Sequence, residues 1–536
     1  MSGNKFESRP MTARNTGWKA VRRRFLGKLR SVLPTYKVIL LLSILFTFAS
    51  FLLRNAKLFI RPRTMRVFRG ALVDFLSHAE RQSASDMEIF LDRLMGWEDS
   101  MPAADAVKLI EQNIDLLRSD CRIADLYFFL AAAYYLSGDF PNYQSSYLRG
   151  LEELKNLRTN GPLNGMGSKF LFTEDWGWGI GHISCLDPLV KLRQLNLLSS
   201  HERILVLSPE DGANKHYLAY WKKHFNFLIV SRHEARQLIS TLRPATEKLS
   251  GFELKSGFSM IYEAWNLAGD AWSRENRQPL LQLDRIDFDK GWEVLQKWGL
   301  PPGSWFVGLH VRELNHYAAN HNRLRAAPNA DIRTYLPAIE SIIAKGGWVI
   351  RMGDPSMSEM PKMRGLIDYA NSEARRDWMD VFLWASCKFF IGTSSGPLTV
   401  PPTFGVPVLY TNCCGIGHSP ALGKALMIPK LFLERDKKRL LTFEQILARP
   451  IGWSVRIPED DNIEIIDNSP DEIEMAANDM FALLDTSRAS AFELSETQKQ
   501  FEFLRRKYGN HASTPIAESF ARKHCDLLAT SSSAHS

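Results

Sequence analysis

Between residues 168 and 411 the chain alternates short apolar runs with longer amphipathic stretches. That alternation confines it to an α/β fold in which helices cover parallel strands. The runs at 169–173, 203–209 and 227–231 read as strands, with a helix at 186–198 after the first. Pro301 and Pro302 then punctuate the chain, and a second series begins. It places strands at 305–312, 347–353, 388–394 and 406–411, with helices at 331–344, 378–385 and 397–404 between them. Two such series in tandem predict two Rossmann-like halves, 166–300 and 301–485, with ligands held at the carboxyl ends of the strands. A last helix at 496–506 and a Ser-rich, disordered end complete residues 486–536.

Charge is placed unevenly along the chain. The formal net charge is +8. Residues 1–69 hold 16 of the 67 Lys and Arg with one acid, Glu7, for +15, so the remainder carries −7. A basic tail with an acidic body excludes a broadly basic nucleic-acid binder. The basic excess surrounds one uncharged apolar run at 38–53, bounded by Lys37 and Arg54. As a helix this run spans about 24 Å, and snorkelling Lys37 and Arg54 extend it toward the roughly 30 Å hydrocarbon core. Residues 1–37 are thus a basic tail and 38–54 a membrane anchor, single-pass or monotopic, against an anionic surface. Ten basic residues precede the run and six follow, which favours a cytoplasmic N-terminus. Six cysteines without a CxxC pair give no disulfide framework.

Residues 55–165 read as helical. Two amphipathic segments separated by Gly138 and Asp139 are similar to one tetratricopeptide-like hairpin, a potential protein-partner surface.

Three strand-to-helix junctions concentrate polar chemistry. Gly177, Gly179 and Gly181 follow the first strand, where glycines let backbone N–H groups approach a ligand. Asp175 and His182 flank that loop as acid–base candidates. His310 and Arg312 end the strand at 305–312, two apart and therefore on one face. An arginine there can fork onto a diphosphate. The polar stretch carrying His316, His321, Arg323 and Arg325 reads as a cationic lid. Thr393, Ser394, Ser395 and Gly396 end the strand at 388–394 as phosphate donors, and Asp354 ends the strand between as a ribose or base ligand or a turn cap. Glu313 joins Asp175 and His182 as a candidate base. The pair Asp287 and Asp289 is the one place for a metal-dependent alternative, and helix capping is its simpler reading.

The segments HVR from His310, RMGDP from Arg351 and DVFLWASCKFFIGTSSGP from Asp380 resemble three successive motifs of the fucosyltransferase superfamily, which includes α-1,6- and protein O-fucosyltransferases. The same region is similar to a group of bacterial glycosyltransferase-like proteins with helical-repeat N-termini. The resemblance covers about residues 165–420 and implies a GT-B fold, a nucleotide-sugar donor (GDP-linked in those fucosyltransferases), inverting transfer and no bound metal or cofactor. It implies that Arg312, Thr393 and Ser395 hold the donor phosphates. Ser394 stands where those fucosyltransferases often carry an aromatic residue, and Glu313 where many relatives carry another basic or a different polar residue, so neither fucose nor guanine is implied for this donor. The implied enzyme transfers a hexosyl or deoxyhexosyl group to a glycan or lipid-linked acceptor, for a bacterial chain at the cytoplasmic face of the inner membrane. A non-catalytic scaffold acting through the helical region and a sugar-nucleotide epimerase or hydrolase remain alternatives.

Overall fold

The structure, a computed structural model, describes residues 139–160 and most of 167–529, with isolated helical positions between 107 and 134. The basic tail, the apolar run at 38–53, the polar stretch at 314–328 read as a cationic lid, and residues 530–536 lie outside them. Among the described residues, no helix is long and apolar enough to cross a membrane.

The helix Phe140–Asn160 begins where Gly138 and Asp139 interrupt the pattern, and the Asp139 carboxylate accepts the Asn142 N–H at 3.2 Å. Its Tyr147 is buried against Phe128, ring centres 5.0 Å apart. This one helical contact does not by itself make a repeat.

The N-terminal half holds a parallel sheet of β1 (Ser168–Phe172), β2 (Glu202–Leu207) and β3 (Asn226–Ile229), in that order. A hairpin, β4 (Gly251–Leu254) and β5 (Gly257–Met260), follows. The C-terminal half holds six parallel strands: β6 (Phe306–His310), β7 (Trp348–Arg351), β8 (Leu366–Asp368), β9 (Phe390–Gly392), β10 (Val408–Cys413) and β11 (Ala425–Pro429). Their spatial order is β8-β7-β6-β9-β10-β11, the Rossmann order. Strands β6, β9, β10 and β11 are buried at every residue, and their sequences are accordingly mostly apolar; β8 and β11 are additions to the four strands expected here. A small antiparallel sheet, β13 (Arg439–Leu440), β12 (Leu431–Glu434) and β14 (Ile463–Ile466), follows and was not foreseen.

One expectation changes at the C-terminus. The segment after 485 forms two α-helices, Glu496–Lys507 and Glu518–Lys523, where one was expected. Between them the chain returns to the sheet: the Met427 N–H donates to the Pro515 carbonyl and the Ala517 N–H to the Met427 carbonyl, both at 2.9 Å. The open edge of β11 is thereby covered.

The two halves share one apolar core. Tyr217, fully buried on the N-terminal side, packs on Trp384, and its hydroxyl meets the Thr403 hydroxyl at 3.1 Å. The Asn214 amide donates to the Asp377 carbonyl at 3.1 Å. These contacts set the strand ends of the two halves around one cleft.

Candidate active site in the interdomain cleft

In the strand order, β6 and β9 are neighbours from which the chain proceeds in opposite directions. Such a switch point opens a crevice at the carboxyl ends of its two strands. Here those ends are His310 and Gly392, so the loops carrying Arg312 and Ser395 flank the crevice. The Thr393 N–H donates to the His310 carbonyl at 3.3 Å, and the Arg312 N–H donates to the Thr393 hydroxyl at 3.0 Å. Thr393 thus ties the two loops together and holds the Arg312 backbone. It is fully buried and does not line the cleft, so its hydroxyl is not placed as the phosphate donor that the sequence suggested.

The cleft has a volume of about 920 Å³. His310, Arg312, Asp354, Ser394, Ser395 and Gly396 line it from the C-terminal half, and Gly179, Gly181 and His182 from the N-terminal half. Ser395 Oγ lies 3.1 Å from His310 Nδ1. Ser394 Oγ lies 2.5 Å from the Tyr410 hydroxyl and accepts the Cys414 N–H at 3.2 Å, so it braces the loop. One Asp354 carboxylate oxygen accepts both Ser356 donors, which matches the turn-cap reading while leaving the residue at the cleft.

The two glycine loops touch. A Cβ on Gly181 would lie 2.9 Å from Gly396 Cα, and one on Gly396 would lie 2.7 Å from the Gly181 nitrogen. Only a hydrogen fits at either position.

The three candidate bases separate. His182 lines the cleft, and its Nδ1 lies 2.9 Å from the Asp175 carbonyl. A carbonyl only accepts, so Nδ1 carries the proton and Nε2 is left with its lone pair. Burial lowers the His182 pKa below 6.5, which keeps the ring neutral and basic near pH 7. Asp175 is exposed and lies off the cleft lining; the contact it makes to His182 is through its carbonyl. Glu313 is also absent from the lining. Its carboxylate accepts from Arg351 Nη2 at 2.7 Å and from the Ser358 N–H at 3.2 Å, with Arg351 fully buried and also paired to Asp368. Glu313 therefore balances a buried guanidinium.

Among the described residues, no group of three or more His, Cys, Asp or Glu is placed to hold a metal ion. Asp287 sits inside the helix Arg285–Lys297 and binds His216 Nε2 at 2.5 Å and the Tyr220 hydroxyl at 2.6 Å, while Asp289 pairs with Arg285.

Among the cleft residues that were not singled out from sequence are Trp178, Arg375, Asp380 and Tyr410. Asp380 was visible only as the first letter of a motif. It lies in the first turn of the helix Asp377–Ser386 and accepts the Tyr369 hydroxyl at 2.8 Å. Burial raises its pKa from 3.8 to about 6, against the smaller opposing effects of the Tyr369 hydroxyl and the Arg375 charge. Because the folded pKa lies above the unfolded one, its contribution to stability is fully present below pH 3.8 and is lost as pH rises through about 6. The loss is on the order of 3 kcal/mol. Asp380→Asn is expected to remove that component. A thermal-unfolding series from pH 4 to 7.5 should fall less steeply for the variant; an unchanged slope would count against a protonated, buried Asp380.

No known protein family matches the chain, and no curated protein does. Solved structures overlap it at low identity. A glycosyl transferase of family 9 from Veillonella parvula is 11% identical over 59% of this chain and 98% of its own, with a TM-score of 0.36. The Escherichia coli ADP-heptose LPS heptosyltransferase II is 13% identical over 60% and 100%, with a TM-score of 0.36. The iron-containing dodecameric glycosyltransferase TibC of enterotoxigenic E. coli is 12% identical over 48% and 62%, with a TM-score of 0.30. At scores this low, the architecture rests on the chain's own strand order and the chemistry on its own cleft.

Proposed function

We propose that the chain is a GT-B-type glycosyltransferase that moves a sugar from a nucleotide-diphosphate donor to a hydroxyl of a glycan or lipid-linked acceptor. One observation carries this reading. The β6/β9 switch point brings Arg312 into a cleft of about 920 Å³, whose N-terminal wall carries His182. The motif resemblance at His310, Arg351 and Asp380 supports it, and a fucosyltransferase-like donor site is the finer form of the proposal.

Each step has a residue. Arg312 neutralises the diphosphate and gains strength as that group leaves with the bonding electron pair. Ser395 and His310, hydrogen-bonded to each other, lie beside it. His182 Nε2 takes the acceptor proton as the acceptor oxygen bonds to the anomeric carbon. A single displacement of this kind inverts the anomeric centre. The apolar run at 38–53, in its basic surroundings, anchors the enzyme at an anionic membrane surface in this proposal.

His182→Gln is expected to lower kcat by about 10²–10⁴ while donor affinity holds. Wild-type kcat/KM should rise with pH and level off below pH 6.5, following the lowered His182 pKa. The products are decisive. Mass-spectrometric detection of a glycosylated acceptor supports transfer. Free sugar or an epimerised nucleotide as the only product would contradict it and favour the hydrolase or epimerase alternative.

A further inference from the structure

The two walls of the cleft differ in chemistry. The C-terminal wall presents Arg312, Arg375, Asp354 and Asp380. Among the described residues, the N-terminal wall presents no Lys, Arg, Asp or Glu. Its side chains include Trp178, Ile180, Leu249, Tyr262 and Trp265, with His182 among them. Trp178 is the most telling. It is 75% exposed, although tryptophan is usually well covered, and it stands in the glycine loop with its ring 6.0 Å from His182 at an angle of 47°.

We infer that Trp178 is the platform on which an uncharged pyranoside acceptor stacks, with one hydroxyl directed at His182. This rests on the transferase reading above. A pyranose has an apolar face of axial C–H groups and a rim of hydroxyls. The C–H groups are weakly positive and lie favourably on the negative face of an indole. A ring stacked on Trp178 therefore has its rim beside the imidazole that is to receive a proton. The described part of this wall carries no cation, which favours a neutral carbohydrate over a phosphorylated lipid head on it. Trp178 is thus a positioning residue: it holds the acceptor and leaves the proton transfer to His182.

The test uses the full chain and saturation-transfer NMR with methyl β-D-galactopyranoside, methyl β-D-glucopyranoside and methyl α-D-mannopyranoside as probes, and farnesyl phosphate as the lipid arm. GDP, ADP and UDP are titrated into the same samples to read the donor site independently. At least one glycoside should show saturation on the C–H groups of one ring face. Trp178→Ala should weaken it about tenfold, and Trp178→Phe should restore most of the affinity by keeping an aromatic face. The exposed position leaves the melting midpoint unchanged. Equal glycoside binding by wild type and Trp178→Ala would overturn the inference, as would binding of farnesyl phosphate alone. If a nucleotide binds but no glycoside does, the platform falls and the donor reading stands. If neither binds, the transferase reading falls and takes the platform with it.

Discussion

Arg312→Ala is expected to reduce kcat/KM for sugar transfer by about 10³, the loss of a charge-assisted contact that strengthens as the diphosphate departs. The fold should survive, because two backbone bonds that fix Arg312, its N–H to the Thr393 hydroxyl and its carbonyl to the Ala330 N–H, are retained by alanine. Arg312→Lys should recover only part of the rate, since a point charge cannot fork onto two phosphate oxygens. Initial rates with the melting midpoint measured in parallel check both statements. A rate within threefold of wild type in the alanine variant would remove Arg312 from the donor site.

Arg351→Met is expected to have the largest effect on stability. The guanidinium is fully buried and pairs with Glu313 at 2.7 Å and Asp368 at 3.1 Å. Taking away the cation leaves two carboxylates facing each other with little solvent. Breaking a buried pair from one side costs about 3–5 kcal/mol. Denaturant unfolding should show that loss in the midpoint. Glu313→Gln should also lower stability, by less, because Arg351 keeps Asp368. A Glu313→Gln protein of wild-type stability without transfer activity would instead restore Glu313 as a catalytic base.

Strands β6, β9 and β10 were legible because they are buried on both faces, whereas β8, half-buried and three residues long, was not. Strand β6, covered throughout, leaves an apolar run from Phe306 to Leu309 whose end marks a functional loop. His310 and Arg312 were found in this way. The partners across the sheet were less accessible. That Glu313 meets Arg351 depends on β6 lying beside β7 in a register pairing Leu309 with Arg351, and one sequence does not state that register. Thr393 was assigned to phosphate for its hydroxyl, but its burial turns that hydroxyl toward Arg312. Gly181 and Gly396 were read as separate ligand loops, yet their tight apposition forms only when the halves pack. Strand β13, with two residues, is too short to carry a periodic signal. Asp380 needed the fold around it before its carboxyl stood out, because its raised pKa comes from burial.

The central claim is that the β6/β9 crevice binds a nucleoside diphosphate. Calorimetric titration of the full chain with GDP, ADP and UDP tests it most directly. The account predicts that one of the three binds in the micromolar to low-millimolar range, about 4–8 kcal/mol, and that Arg312→Ala abolishes the heat. Absence of binding by all three, or equal binding by the alanine variant, would contradict it.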